Sequence, residues 1–198
     1  MNKLIFATNN QNKVEEIKSI IGNLFEVVSL KDAGIDIDIA EPYNTLEENA
    51  REKSETIYRL TGENCFSEDT GLETEALNGE PGVKSARYAG EGRNPGDNIE
   101  KLLLKLQGNE NRKARFRTII SLIINNKEQQ FLGICEGNIC NEPIGDKGFG
   151  YDSIFIPFGE TRTFGEMSIE DKNFFSHRRK ALKKLIAFLS QNGNKTCQ

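Results

Sequence analysis

The start of the chain switches twice between two hydrophobic periods, and that switch restricts the folds it can adopt. Lys3-Leu4-Ile5-Phe6-Ala7 is a mostly apolar run of strand length. Lys13 to Ile21 then places Val14, Ile17, Ile20 and Ile21 on one helical face. Phe25-Glu26-Val27-Val28-Ser29-Leu30 returns to a strand pattern. Strand, helix and strand in that order predict a parallel βαβ unit, because a helical crossover is what lets neighbouring strands run parallel.

Further along, Thr45 and Glu48 have the spacing of a capping box, and Leu46, Ala50, Ile57 and Leu60 form an apolar stripe behind it. Asn64 to Ser67 reads as a short strand ending at Glu68-Asp69-Thr70-Gly71. Asp97 to Leu106 is a helix with Ile99, Leu102, Leu103 and Leu106 inward. Arg115 to Asn125 and Gln129 to Glu136 are strands joined as a hairpin through Asn125-Asn126-Lys127. Ser153 to Ile156 is a further short strand, and a last helix runs from His177 to Ser190 with Ala181, Leu182, Leu185, Ile186 and Leu189 inward. The expected class is α/β: a mixed β-sheet flanked by helices. No repeat or linker interrupts the pattern, so one domain over residues 1–198 is expected.

Composition narrows the functions. The net charge is -4 and the pI about 5.3, which argues against nucleic acid or an anionic membrane as partner. No apolar run reaches the length of a membrane span. Met1 to Ala7 lacks the apolar core and cleavage site of a signal peptide. Cys65, Cys135, Cys140 and Cys197 show no CxxC spacing, so neither structural zinc nor a disulfide framework is expected, and a reduced, cytoplasmic setting fits.

Four sets of residues could carry chemistry. Thr8-Asn9-Asn10-Gln11-Asn12-Lys13 joins a strand to a helix N-terminus, where backbone N–H groups attract anions and a lysine is out of place unless an anion joins it. The glycines of a P-loop are missing, and a plain polar turn is the alternative. Glu41, Glu68 and Asp69 offer hard oxygen ligands for magnesium, with Asp69 also able to activate water; a solvated turn is the competing reading. Lys53 falls on an apolar helix stripe, where it either snorkels to solvent or reaches phosphate or the acids. Gly148-Phe149-Gly150-Tyr151-Asp152 combines close backbone approach with aromatic faces, and suits a flat polar ligand. Lys172 with Ser176-His177-Arg178 is the fourth set, beside that loop: two donors at a helix start read a keto oxygen well and an amino group badly, unless Ser176 is a cap and the basic residues a solvated face.

These segments, together with Glu47-Glu48-Asn49-Ala50 and Gly79 to Tyr88, occur in an order that resembles the inosine triphosphate pyrophosphatase family, the XTP/dITP diphosphatases, from Leu4 to about Leu189. The resemblance implies an elongated mixed sheet of two lobes with a central cleft, usually a homodimer. It implies magnesium-dependent hydrolysis of ITP, dITP and XTP to monophosphate and pyrophosphate. Thr8 to Lys13 would hold the triphosphate. Asp69 would be general base and metal ligand, with Glu68 and Glu41 as further metal acids and Lys53 and Thr70 lining the same site. Phe149, Gly150, Tyr151, Asp152, Lys172, His177 and Arg178 would surround base, sugar or phosphates. The family commonly carries Asp-Asp-Ser-Gly where this chain has Glu68-Asp69-Thr70-Gly71. A non-catalytic nucleotide sensor and a magnesium phosphohydrolase of other specificity are the rival readings.

Overall fold

In a computed structural model of the protein, residues 3–21 and 25–193 are described. Cys197 lies outside them. The chain forms β1 (Lys3–Phe6), α1 (Gln11–Ile21), β2 (Glu26–Ser29), α2 (Leu46–Thr61), β3 (Cys65–Thr74), β4 (Pro81–Gly82), α3 (Pro95–Lys105), β5 (Lys113–Ile124), β6 (Lys127–Ile139), β7 (Phe155–Pro157), α4 (Ile169–Phe175) and α5 (His177–Gly193). The sheet order is β2-β1-β3-β5-β6-β7, with β4 paired to β3. Both parallel and antiparallel pairs occur, so the sheet is mixed, as the pattern predicted.

The chain divides into two compact units rather than a single cluster of contacts. Unit 1 is Met1–Asp69, Thr118–Gly133 and Arg178–Gln198; unit 2 is Thr70–Arg117 and Ile134–His177. The boundary therefore falls within β3, β5 and β6 and at the first residue of α5.

In unit 1 the predicted βαβ unit is present. β1 pairs in parallel with β2, from Lys3↔Glu26 to Phe6↔Ser29, and with β3 at Ile5↔Cys65 and Phe6↔Phe66. Successive side chains of a strand point to opposite faces. Leu4 and Phe6 accordingly join Val14, Ile17 and Ile21 of α1 and Leu182 and Leu185 of α5 in one core, while Ile5 and Ala7 join Ile57 of α2 and Cys65 in another. Phe6 and Phe66 stack across the register with ring centroids 4.5 Å apart. Leu60, expected inward, is 59% exposed, because it lies past the turn of α2 that meets the sheet.

In unit 2, Leu72, Phe116, Tyr151, Phe155 and Phe164 form the core with Leu102 and Leu106 at the end of α3. β6 and β7 pair antiparallel, Gly137↔Pro157 to Ile139↔Phe155. A Cβ on Gly71 would lie 2.6 Å from the Gly82 carbonyl oxygen, so glycine is what lets β3 and β4 close together.

Three elements differ from expectation. Of the strand read at Ser153 to Ile156, Ser153 and Ile154 lie in a 3-10 turn (Asp152–Ile154) and only Phe155 and Ile156 in β7, which runs on to Pro157. β3 does not end before the acids; it runs through Glu68 and Asp69 to Thr74, because one strand serves both units. The described parallel register of β1 with β3 reaches Phe66, so the acids follow the carboxyl end of that pairing rather than the end of the strand. α4 was not expected; Ser168 caps it by accepting from Asp171 N. Among the described residues no helix is long and apolar enough to cross a membrane.

Candidate functional site

In unit 1 the polar loop between β1 and α1 is ordered by its own side chains. Asn10 Oδ1 accepts from Lys13 N, Thr8 Oγ1 accepts from Asn10 N, and Asn9 Nδ2 donates to Ile37 O. Asn10 thus caps α1. Gln11 and Asn12 are exposed in its first turn. Lys13 Nζ lies 3.2 Å from Glu68 Oε1.

The adjacent acids of β3 turn to different helices, as strand alternation requires. Glu68 is completely enclosed on the side of α1 and α5. Arg178 grips it with both prongs, Nε to Oε2 at 2.6 Å and Nη2 to Oε1 at 2.8 Å, while Arg178 Nη1 donates to Glu16. Asp69 faces α2, where Lys53 Nζ donates to Asp69 Oδ1 at 2.7 Å and to Glu41 Oε1 at 2.8 Å. Lys53 does not snorkel; it is buried and joins two carboxylates. Burial would lower its pKa, but the charges of Asp69 and Glu41 outweigh that and hold it above the ordinary value. Burial also raises the Asp69 carboxyl, with Glu41 adding to the effect and Lys53 and Lys13 opposing it. Burial likewise works against the Arg178 charge, and Glu68 and Glu16 overcome it.

In unit 2 the carboxylate of Asp152 is the centre. Its Oδ2 accepts from Phe149 N at 2.8 Å and from Lys172 Nζ at 2.6 Å. The same ammonium lies 5.0 Å from the Phe149 ring centroid, a cation–π contact. Gly148 has φ 73°, and a Cβ there would meet Asp152 Oδ2 at 2.2 Å. The loop therefore folds around its own acid. His177 is buried and stacks on Phe116, centroids 4.7 Å apart.

The sequence matches the Ham1 family over residues 4–188. The chain belongs to the Ham1 family. It is 50% identical over 186 residues to a protein of Flavobacterium psychrophilum named dITP/XTP pyrophosphatase, covering 94% of this chain and 98% of that one. It is 47% identical over 189 residues to a protein of Christiangramia forsetii of the same name, covering 96% and 100%. The structure of the Staphylococcus aureus Ham1 protein superposes with a TM-score of 0.87 at 39% identity, covering 96% of this chain and 100% of that one.

Within this Ham1 chain, the structure brings Glu41, Lys53 and Asp69 together on one face of β3, and Lys13, Glu68, Arg178 and Glu16 together on the other, all in unit 1. It brings Phe149, Asp152 and Lys172 together in unit 2. Thr70 follows Asp69 in β3 and is half-buried. Two residues stand elsewhere than the sequence suggested. Arg178 is committed to Glu68 and Glu16 instead of presenting its donors beside His177, since consecutive helical residues do not face the same side. Tyr151 lies in the hydrophobic core with its hydroxyl donating to Ser85 O at 2.9 Å, and Gly150 is half-buried with φ 63°. Glu16 was not foreseen. Its signal was a carboxylate between Val14 and Ile17 on the inward side of an amphipathic helix.

Among the described residues, no three His, Cys, Asp or Glu side chains are grouped to hold a metal ion. Glu41 and Asp69 nonetheless converge on one cation, Lys53, and both offer hard oxygen donors. Magnesium commonly takes one or two carboxylates and completes its shell with water and phosphate oxygens, so this pair fits such an ion.

Proposed function

We propose that the chain hydrolyses the deaminated purine nucleoside triphosphates dITP, XTP and ITP to the monophosphate and pyrophosphate. The observation that carries this reading is the buried Glu41–Lys53–Asp69 bridge beside the capped, lysine-bearing start of α1. The names of the relatives support it.

Asp69 accepts a proton from water as the water oxygen bonds to the α-phosphorus and the bond from that phosphorus to the bridging oxygen breaks. A carboxyl held above its usual pKa is the better base for that step. Asp69 and Glu41 would hold magnesium, which would neutralise charge on phosphate oxygens, whereas Glu68, expected as a third metal acid, is held on the other face of β3 by Arg178 and Lys13. Lys13 and the Thr8 to Asn12 loop hold the leaving pyrophosphate. Arg178 fixes the Glu68 carboxylate. In unit 2, Phe149 supplies a face for the base, stiffened by Asp152 and Lys172, and His177 donates to a 6-keto oxygen. An amino group at that position would set donor against donor, at a cost of about 1–3 kcal/mol. The cytoplasm is the setting we propose, which the reduced Cys65 and Cys140 suit, and a homodimer is the assembly we propose, which light scattering reads.

The test is a panel of dITP, XTP, ITP, ATP and GTP with magnesium, with manganese, and with EDTA, followed by product identification. Pyrophosphate and monophosphate from the first three, lost in EDTA, are expected. Orthophosphate alone, or ATP turned over as fast as XTP, overturns the reading, and binding without turnover makes the protein a sensor.

A further inference from the structure

The amine of Lys53 touches the same two carboxylate oxygens that a divalent ion would need, 2.8 Å from Glu41 and 2.7 Å from Asp69. We infer that Lys53 is a tethered stand-in for the metal, which keeps the nucleotide-free protein from binding a divalent cation and makes metal and triphosphate bind together. The inference rests on the metal reading above.

The argument is one of charge exchange. Lys53 and Asp69 are both buried, and the helix stripe around Lys53 (Leu46, Ala50, Ile57) is apolar. A divalent ion entering alone has to displace the ammonium from Asp69 and Glu41. It then leaves a buried positive charge without its partners, which is the expensive half of breaking a buried ion pair. A triphosphate changes this balance, because its oxygens offer the displaced ammonium a new anion at the moment the carboxylates take the metal. Both charges stay compensated only when the two ligands arrive together. Metal and nucleotide should therefore show positive, reciprocal coupling. Lys13 does not serve the same purpose, since it is paired with Glu68 on the other face of β3.

Manganese binding to the nucleotide-free protein, read by electron paramagnetic resonance, tests this without any turnover. Wild type should bind manganese weakly alone and about tenfold or more tightly with inorganic pyrophosphate present. Lys53→Met should bind manganese about tenfold tighter than wild type without pyrophosphate, and Lys53→Arg, which keeps the charge, should not. In the double variant Lys53→Met, Asp69→Asn the gain should vanish. Equal affinity in wild type with and without pyrophosphate overturns the inference, and needs no variant to fold. So does a gain that survives Asp69→Asn, which would place the ion elsewhere. The proposed function fails on a different observation, the absence of XTP and dITP hydrolysis by wild type.

Discussion

The two polar clusters are built on opposite plans. In unit 2 one acid is held by its own loop: Asp152 accepts from Phe149 three residues earlier and pairs with Lys172. In unit 1 Glu41 and Asp69 share Lys53, while Glu16 and Glu68 share Arg178 with Lys13 beside Glu68, and these cations come from three helices. A carboxylate held by its own loop makes a rigid platform. Carboxylates bridged by shared cations have partners that can be exchanged. Under the proposed function, the first plan would serve recognition in unit 2 and the second the reaction in unit 1.

The sharpest way to break this contrast is Asp69→Asn. It should lower kcat for XTP by about 10²–10⁴, the usual worth of a general base, while nucleotide binding stays measurable by calorimetry. Full activity would remove the chemistry from unit 1. Asp152→Asn should act differently: KM for XTP rises about tenfold, the loss of one charge-assisted hydrogen bond of about 1.5 kcal/mol, with a smaller change in kcat. A fall in kcat alone would show that the platform takes part in the reaction. Gly148→Ala sharpens the comparison further. Left-handed backbone costs a residue with a Cβ about 1–2 kcal/mol, and the carboxylate must also move, so melting should drop by about 2–4 °C per kcal/mol with XTP binding weakened.

The smallest effect concerns pH. A carboxyl whose folded pKa is raised stabilises the fold fully below its unfolded pKa, and that contribution is lost as pH rises through the folded pKa. Ionised Asp69 is therefore a cost at neutral pH. In EDTA, Asp69→Asn should melt below wild type, because it leaves the buried Lys53 ammonium with Glu41 alone, and that deficit should be smallest at pH 7 and grow as pH falls through the carboxylate range. Differential scanning at several pH values checks this, and a variant less stable at pH 7 than at pH 4 relative to wild type contradicts it.

Much of unit 1 was legible. The apolar run of β1 and the helical period of α1 are local, and they predicted a parallel pairing that is present. Lys53 was legible as a possible partner of acids because a charge on an apolar stripe needs a reason. What escaped depends on distant chain. Glu16 is buried by Arg178, 162 residues away, and no local period reports that. His177 and Arg178 read as a converging pair because they are neighbours in sequence, but a helix turns them apart. The extension of β3 through its acids was hidden because Glu68-Asp69-Thr70-Gly71 carries turn-type residues. α4 did have a readable mark, Ser168 with Asp171 three residues on.

β3 also carries a constraint of a different kind. Phe66 and Glu68 share a face in unit 1, and Leu72, an even number of residues further, enters the core of unit 2. The strand is thus a common reading frame for two interiors. Inserting one residue between Asp69 and Thr70 would send Leu72 to the opposite face while leaving Phe66 where it is. Changing that stretch by one residue reverses the faces beyond it unless a β-bulge absorbs the change, so parity, more than the identity of any one side chain, is what the strand has to keep there.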